Sequence, residues 1–478
     1  MAFLIGGANS AADTGYDIAN SCRLDGSSAY MGLTLGTATN NKIYTFSAWV
    51  KRSKLAQYSV MFNAGGQRDC LRFRGDNERL HFFTGEATTA GLATNRVFRD
   101  ITAWMHIVCA VDTTQATAAN RVKLYVNGVQ ETSFAVTNYP AEDFTNVINS
   151  DVENRIGKAS NQYDEYFGGY MAEVFFIDGQ QLAPTSFGEY DEDSPQIWKP
   201  KDCKDDLTFG NNGFYLDFED SSNLGNDANG GTDFSETNLA ATDQTSDSPT
   251  NNFCTLNPLS NRTSSGTVTA ADFSEGNCKV DHDDANTVTI APGTMAVSSG
   301  KWYFEAKVDD AGGDANIGII SASADLSGQQ GTSGHPSMYY GSNGKSCYNV
   351  IASNDGDSFG DTYTDGDIIS VALDLDNNVI WFAKNGTWQD SGDPTSGATA
   401  TGAAYSGTGT SDGFPTTSSF YLPVTVGYNS FIVSANFGNP PYANSSSVAD
   451  ANGYGDFEYA PPSGFLAICT KNLGSDGG

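Results

Sequence analysis

The sequence has few basic residues. It contains 25 lysines and arginines against 57 aspartates and glutamates, which gives a formal net charge of −32 over 478 residues. Contacts to phosphate groups need Lys and Arg, so this balance argues against a nucleic-acid partner. Simple solubility is the main interpretation of such an acidic surface, and a salty medium or divalent cations are a weaker one.

Long apolar runs are also missing. No window approaches the roughly 20 apolar residues of a membrane span, so we expect no membrane insertion. The N-terminal segment MAFLIGGANSAADTG has no basic region, and its apolar run is too short for a secretion signal. We therefore expect synthesis in the cytoplasm of the producing cell.

The common catalytic and metal-binding motifs are absent from the sequence. The four histidines are dispersed, with neither HExxH nor a Cys/His zinc spacing. There is no GxSxG elbow and no Walker loop. The eight cysteines are scattered without a CxxC pair, which favours reduced thiols over a dense disulfide framework. His106 follows Trp104 in an apolar run and is interpreted as a hydrogen-bonded core residue.

Short strands and tight turns account for most of what is present. Glycine occurs 52 times, and aromatic residues make up 12% of the chain. Ile369, Val371 and Leu373 alternate with small or polar residues, which predicts a strand with one apolar face. Asn377-Asn378 and Asn385-Gly386 supply turns that tolerate positive φ. The sequence therefore predicts an all-β chain, long enough for two or three domains.

Two stretches resemble known domains. GKWYFEAKV, ANIGIIS and GDTYTDGDIISVALDLDNNVIWFAKNGTW resemble the SPRY domain, a concanavalin A-like double sheet used for recognition. TFSAWVKR, WMHIVCAVD, VKLYVNG, RIGKAS and GYMAEVFFIDGQQL, in that order, resemble the laminin G / concanavalin A-like lectin fold. The resemblance implies two concanavalin A-like jelly-roll sandwiches joined by an extended connector rich in Asn, Asp, Ser and Gly.

Other segments are similar to structural proteins of tailed phages, particularly marine ones. They are NNGFYLDFEDSSNLGNDANG, DSPTNNFCTLNPL and YAPPSGFLAICTKNL. Those proteins likewise join a laminin G-like domain to a SPRY-like domain. The resemblance therefore implies a component of a virion.

The pattern divides the chain into five parts. They are an N-terminal arm (1–20), a laminin G / concanavalin A-like domain (21–199), the connector (200–265), a SPRY-like domain (266–440) and a C-terminal extension that packs back on the body (441–478). Aromatic residues in the connector favour an extended segment packed on the domains over a disordered linker.

Sugar binding needs aromatic faces beside amide and carboxylate groups. The polar loops NQYDEYFGG and HPSMYYGSNGKSCYN have that mixture. The candidate ligand-binding residues are Tyr163, Asp164, Tyr166, Tyr339, Tyr340 and Asn343. Ordinary packing or contacts between subunits explain the same residues equally well.

The acidic clusters of the sequence match neither a catalytic motif nor a complete metal-binding motif. Calcium is a minor alternative at residues 281–286 and 355–367, but the second loop has Phe359 at a ligand position and no closing Glu. The glucanase motif E-x-D-x-x-E is matched only by Glu189 and Asp191, with Ser194 in the last position. We expect no enzymatic activity, no catalytic residues, no metal site and no cofactor.

These features together predict a non-enzymatic surface protein of a phage virion, made in the host cytoplasm. It would be a capsid decoration protein or a component of a tail fibre or spike, and it would bind host or environmental glycans. The expected partners are other virion proteins and further copies of the chain. The alternatives are a secreted or cell-surface lectin-like adhesin and a polysaccharide hydrolase.

Overall fold

The structure is a computed structural model. It describes residues 4–5, 15–65, 69–84, 90–159, 164–260, 262–263, 271–282, 288–324, 337–341, 343–348, 357–407, 420–428 and 430–476. In these ranges nearly all regular structure is β-strand, so the predicted fold class is confirmed. The α-helix α1 (Thr470–Asp476) is short, and no described helix has the length and apolar character to cross a membrane.

Strands are labelled in chain order. Those before residue 250 are β1 (Leu4–Ile5), β2 (Ser21–Asp25), β3 (Tyr30–Thr34), β4 (Ile43–Arg52), β5 (Ser59–Ala64), β6 (Asp69–Phe73), β7 (Arg79–Thr84), β8 (Ala90–Val97), β9 (Met105–Asp112), β10 (Val122–Val126), β11 (Val129–Gln130), β12 (Phe134–Asn138), β13 (Glu153–Ile156), β14 (Gly168–Asp178), β15 (Gly188–Tyr190), β16 (Trp198–Pro200), β17 (Phe214–Leu216), β18 (Ser235–Thr237) and β19 (Gln244–Thr245).

The later strands are β20 (Arg262–Thr263), β21 (Asp272–Ser274), β22 (Lys279–His282), β23 (Thr289–Pro292), β24 (Met295–Ala296), β25 (Lys301–Asp310), β26 (Asp314–Ser321), β27 (Ser337–Tyr340), β28 (Lys345–Tyr348), β29 (Asp357–Ser358), β30 (Ile368–Asp374), β31 (Val379–Lys384), β32 (Thr387–Trp388), β33 (Tyr405–Ser406), β34 (Tyr421–Tyr428), β35 (Phe431–Asn436) and β36 (Leu466–Ala467). Short 3-10 turns lie at Ala118–Asn120, Pro184–Ser186, Lys204–Asp206, Ala241–Asp243, Glu275–Asn277, Gln389–Ser391 and Pro394–Thr399.

The chain divides into two compact units between Thr250 and Asn251, inside the predicted connector. In the first unit, the first sheet has the order β11-β10-β9-β4-β14-β2-β19, with β17 beside β14. The second sheet has the order β12-β8-β7-β6-β5-β13-β3-β18. Apolar side chains of both sheets form the core, in which the rings of Phe46 and Phe62 stack 5.1 Å apart.

Residues of the predicted connector complete both sheets of this first unit. Strand β17 pairs with β14, β18 with β3 and β19 with β2. The connector aromatics Phe214, Tyr215, Phe218 and Phe234 are buried. Their burial anchors residues 200–250 on the sandwich.

The second unit contains β1 and the strands that follow residue 250. Its third sheet has the order β20-β23-β34-β26-β27-β28-β29, and its fourth sheet has the order β21-β22-β35-β25-β30-β31-β32. Strand β33 joins β31, and β36 pairs in parallel with β25. The β31–β32 turn has the predicted geometry, since Asn385 and Gly386 have φ of 49° and 76°.

Strands β30 and β31 of the fourth sheet are buried on both faces. Ile369, Val371 and Leu373 of β30 enter the core, as the alternation predicts. The intervening Ser370 and Ala372 are buried too, because Phe457, Phe465 and other residues near the C-terminus cover the opposite face. Alternation within β30 indicates the core face but carries no information about this second layer.

Glu305 on β25 holds the covering segment. Its carboxylate accepts hydrogen bonds from the backbone N–H groups of Glu458 and Tyr459, at 3.0 and 2.8 Å, and from the Tyr303 hydroxyl and the Asn436 amide. Burial raises the pKa of Glu305 from 4.5 to about 7, against the lowering effect of these hydrogen bonds. Since the folded-state pKa lies above the ordinary value, this group contributes stability that is lost as pH rises from about 4.5 through 7.

We predict that Glu305→Gln lowers the free energy of unfolding by about 1–3 kcal/mol, because the side-chain NH₂ group then faces one of the two backbone N–H donors and leaves it without an acceptor. The variant should also lose the part of the pH dependence between pH 5 and 8 that Glu305 supplies. Urea denaturation of wild type and variant at both pH values measures these effects.

Glu173→Gln is the matched control. Burial also raises the pKa of Glu173 to about 7, but its donors are the hydroxyls of Tyr16 and Tyr215. A hydroxyl can rotate and accept a hydrogen bond, so this substitution should cost less. Equal losses in the two variants would contradict the role of the backbone donors.

Candidate functional site

The outer face of the second sheet, opposite the core, carries charged and aromatic residues. Arg72 on β6 lies opposite Val60 on β5 and His81 on β7. Arg155 on β13 lies opposite Asn63 on β5. Because side chains alternate along a strand, the neighbours of these residues fill the core while they themselves point outward.

Arg72 forms the centre of this face. Its guanidinium carbon lies 4.6 Å from the ring centre of Tyr58 and 5.1 Å from that of Phe83. It also forms an ion pair with Glu165. Arg72 is 2% exposed. Two rings and one carboxylate hold its guanidinium in place.

A second group lies beside it. The Lys158 ammonium is 4.7 Å from the ring centre of Tyr30 and 4.6 Å from that of Tyr166. The two rings are 6.5 Å apart and inclined at 58°. Arg155 lies 5.5 Å from the Tyr30 ring and pairs with Glu153.

Half-buried tyrosines, two guanidinium groups and one ammonium group thus share one surface. We call it the aromatic–cationic surface, and its members are Tyr30, Tyr58, Arg72, Arg155, Lys158 and Tyr166. Such a set offers apolar ring faces together with hydrogen-bond donors in fixed directions. It suits a ligand with both C–H faces and many oxygen acceptors.

His81 is buried beneath this surface. It is 1% exposed, and neither ring nitrogen has a hydrogen-bond partner. Burial, followed by the charges of Arg72 and Arg74, lowers the pKa of His81 to about 3. The imidazole is therefore neutral at physiological pH.

Comparison with known proteins identifies both units. The model of the concanavalin A-like lectin/glucanases superfamily, in its laminin G form, matches residues 25–181, and the SPRY domain model matches residues 301–407. The chain contains a concanavalin A-like domain and a SPRY domain. Both domain resemblances seen in the sequence are confirmed.

Individual relatives match only part of the chain. Ran-binding protein 10 of Danio rerio is 32% identical over 107 residues, which cover 22% of this chain and 17% of the relative. Ran-binding protein 9 of Xenopus tropicalis is 31% identical over 114 residues, covering 23% and 20%. The chain spans about a fifth of the length of these curated relatives. The crystal structure of the SPRY domain of human HERC1 is 15% identical, covers 38% of this chain and 96% of its own, and has a TM-score of 0.27.

One of the three predicted residues of the concanavalin A-like domain belongs to the aromatic–cationic surface. Tyr166 is a member of it, and its backbone oxygen accepts a hydrogen bond from Gln57 at 3.2 Å. Asp164, two residues earlier, is exposed. Tyr163 lies outside the described residues.

The predicted tyrosine of the SPRY domain needs a correction. Tyr339 was expected in a surface loop but lies on β27, fully buried between the rings of Phe359, Tyr363 and Phe382. Its hydroxyl donates to the backbone oxygen of Asp361. Tyr339 is therefore a core residue and offers no surface to a ligand.

The other two predicted residues of this loop are Tyr340 and Asn343. The side chain of Tyr340 lies outside what the structure describes. Asn343 is half-buried in a turn, where its side-chain oxygen accepts from the Lys345 backbone N–H at 3.1 Å. This contact stabilises the turn.

The acidic loops have mainly structural contacts. Asp365 accepts from the backbone of Ala311, and Asp367 pairs with Lys384 at 3.1 Å, which agrees with the predicted turn. Residues 283–287 and 355–356 lie outside the described part. Within that part, no group of three or more His, Cys, Asp or Glu side chains is placed to hold a metal ion.

The acids of the incomplete glucanase motif lie on the β15–β16 hairpin. Asp191 accepts from the backbone of Ser194 at 2.8 Å and pairs with Lys199 at 3.1 Å. These contacts hold the pKa of Asp191 below its usual range. Glu189 is exposed, with its carboxylate 3.8 Å from the same lysine.

Sequence reasoning missed most of the aromatic–cationic surface. Tyr30, Tyr58, Arg72 and Lys158 come from four separate segments that only strand pairing brings together. One signal was available in DCLRF, where Arg72 replaces an apolar residue within a buried strand. A charged residue in such a position marks a polar outer face.

We predict that the imidazole of His81 does not titrate between pH 5 and 8, because burial and the nearby arginines hold its pKa near 3. Two-dimensional NMR of the imidazole nitrogens measures this. His106 is the reference, since its ring accepts from the Trp198 indole at 3.1 Å and lies 2.8 Å from the Ser47 hydroxyl, as expected for a core histidine. A midpoint near the ordinary value of 6.5 for His81 would contradict the structure.

Proposed function

We propose that the chain is a non-enzymatic glycan-binding protein of a phage virion surface. The aromatic–cationic surface of the concanavalin A-like domain carries the glycan site. The observation that supports this site best is the pair of half-buried rings, Tyr30 and Tyr166, beside the ion-paired guanidinium groups of Arg72 and Arg155. Saccharides combine apolar C–H faces with hydroxyl oxygens, and these groups complement both.

The virion assignment is supported by the segments that resemble phage structural proteins. Within DSPTNNFCTLNPL, Asp247 forms a buried ion pair with Lys51 at 2.7 Å in the first unit. In the second unit, the backbone N–H of Cys254 donates to Ile468 at 3.0 Å, and that of Thr470 donates to Asn252 at 2.9 Å. Two of the resembling segments thus lie side by side and complete the SPRY domain, which is the role expected of a recurring structural module.

The absence of catalysis is also part of the proposal. Asp191 is engaged by Lys199 and by backbone donors, so it is poorly placed to act as a nucleophile or an acid. Release of reducing sugar from a bound polysaccharide, lost on Asp191→Asn, would overturn this part and favour a hydrolase.

We further propose that the protein is made in the host cytoplasm and assembles with other virion proteins as a homo-oligomer. Capsid decoration and a tail fibre or spike both fit. A secreted or cell-surface adhesin is the alternative. The high negative charge disfavours non-specific association with nucleic acid during assembly.

We predict that Tyr166→Ala weakens glycan binding about tenfold, because it removes one of the two ring faces. A glycan array of neutral and acidic saccharides identifies a ligand, and calorimetry with that ligand gives the affinities. Tyr190→Ala is the matched control, since Tyr190 is 42% exposed on the β15–β16 hairpin and outside the proposed site. No array signal for the wild type, or equal losses in both variants, would overturn the site.

We predict that mass spectrometry of purified particles detects the chain. Hundreds of copies relative to the major capsid protein would assign it to capsid decoration, and about a dozen would assign it to the tail. Finding it only in the medium or on the cell surface, and never in particles, would favour the adhesin alternative.

A further inference from the structure

Lys158 differs from the other cations of the aromatic–cationic surface. Arg72 pairs with Glu165, and Arg155 pairs with Glu153. Among the described residues, no carboxylate lies within 4.0 Å of the Lys158 ammonium, and no hydrogen bond to it is present. Lys158 is nevertheless only 8% exposed.

Partial removal of an ammonium group from water without an anionic partner is unfavourable. The rings of Tyr30 and Tyr166, on two sides of the ammonium, offset part of that cost through their negative faces. They supply no lone pair in line with its N–H bonds. The ammonium therefore keeps hydrogen-bonding capacity that an anion between the rings would satisfy.

Other donors on the outer face of the second sheet are unsatisfied as well. The Nε atoms of Arg72 and Arg155 are buried without a hydrogen-bond partner. Both ring nitrogens of His81 are also buried without a hydrogen-bond partner. One of them carries a hydrogen in the neutral imidazole. Donors on three side chains of the second sheet's outer face thus lack acceptors, in a chain where acids outnumber bases by 57 to 25.

We propose that the aromatic–cationic surface binds an acidic glycan, whose sulfate or carboxylate group pairs with Lys158 while the sugar ring packs on Tyr30 and Tyr166. This inference rests on the proposed glycan-binding function and names its ligand class. Sulfate and carboxylate both present acceptor oxygens to an ammonium group, so the experiment distinguishes them. The net charge of −32 makes non-specific attraction of a polyanion unfavourable, so binding would report the local site.

Three polymers with one backbone provide the test: dextran, dextran sulfate and carboxymethyl dextran. Calorimetry with the full chain at about 0.15 M salt, where the Debye length is about 8 Å, screens the distant acidic charges but leaves a contact pair intact. We expect one charged polymer to bind at least tenfold more tightly than dextran. The preferred polymer identifies the anionic group.

Lys158→Gln should abolish the preference for the charged polymer, and Lys158→Arg should retain most of it. The matched control is Lys123→Gln, which makes the same charge change on β10 of the other sheet. Thermal unfolding checks that the variants are folded, and Lys158→Arg keeps the test valid if Lys158→Gln is unstable. Equal losses in the Lys158→Gln and Lys123→Gln variants would overturn the inference, because they would indicate bulk electrostatics.

Failure of this inference can be told apart from failure of the proposed function. Binding of neutral glycans on the array, without binding of either charged dextran, overturns the acidic-ligand inference and leaves glycan binding standing. No binding of any glycan overturns both. Charged-dextran binding that survives Lys158→Gln assigns the anion to another surface and likewise overturns the inference.

Discussion

In each sandwich one sheet is covered on its outer side, and a buried glutamate of that sheet accepts hydrogen bonds from other parts of the chain. In the SPRY domain this residue is Glu305, whose four donors include two backbone N–H groups of the covering segment. In the concanavalin A-like domain it is Glu173, which binds the hydroxyls of Tyr16 and Tyr215. Burial of a carboxylate alone would be unfavourable. Here several hydrogen bonds to the carboxylate offset that cost.

The second sheet of the concanavalin A-like domain is organised differently. Its outer face bears arginines, a lysine and a histidine between tyrosines. The first sheet, by contrast, is covered by an apolar layer that includes Phe187, Phe209 and Tyr215. The two faces of one sandwich therefore have different roles. The apolar layer enlarges the hydrophobic core of a domain with long polar loops. The other face holds hydrogen-bond donors in fixed positions near the surface, as a binding site requires.

The sequence predicted the fold well because its information is local. Asn385-Gly386 predicts a hairpin turn. The alternation of Ile369, Val371 and Leu373 predicts the strand face that packs in the core. The site was predicted only through Tyr166, since its other members meet through pairing between strands far apart in sequence. Tyr339 was assigned to a polar loop because HPSMYYGSNGKSCYN mixes tyrosines with polar and small residues. In the structure Tyr339 lies on β27. The short stretch of sequence around it does not show which residues of this strand point into the core.

The C-terminal strand has a consequence for how the protein is made. Strand β36 pairs with β25, and Leu473 packs in the core of the SPRY domain. A nascent chain therefore cannot close this domain until these late residues have left the ribosome, whereas the segment ending at Thr250 contains everything that its own sandwich needs. Synthesis from the N-terminus would thus give a finished concanavalin A-like domain first, followed by a SPRY domain that remains open until translation passes its last strand.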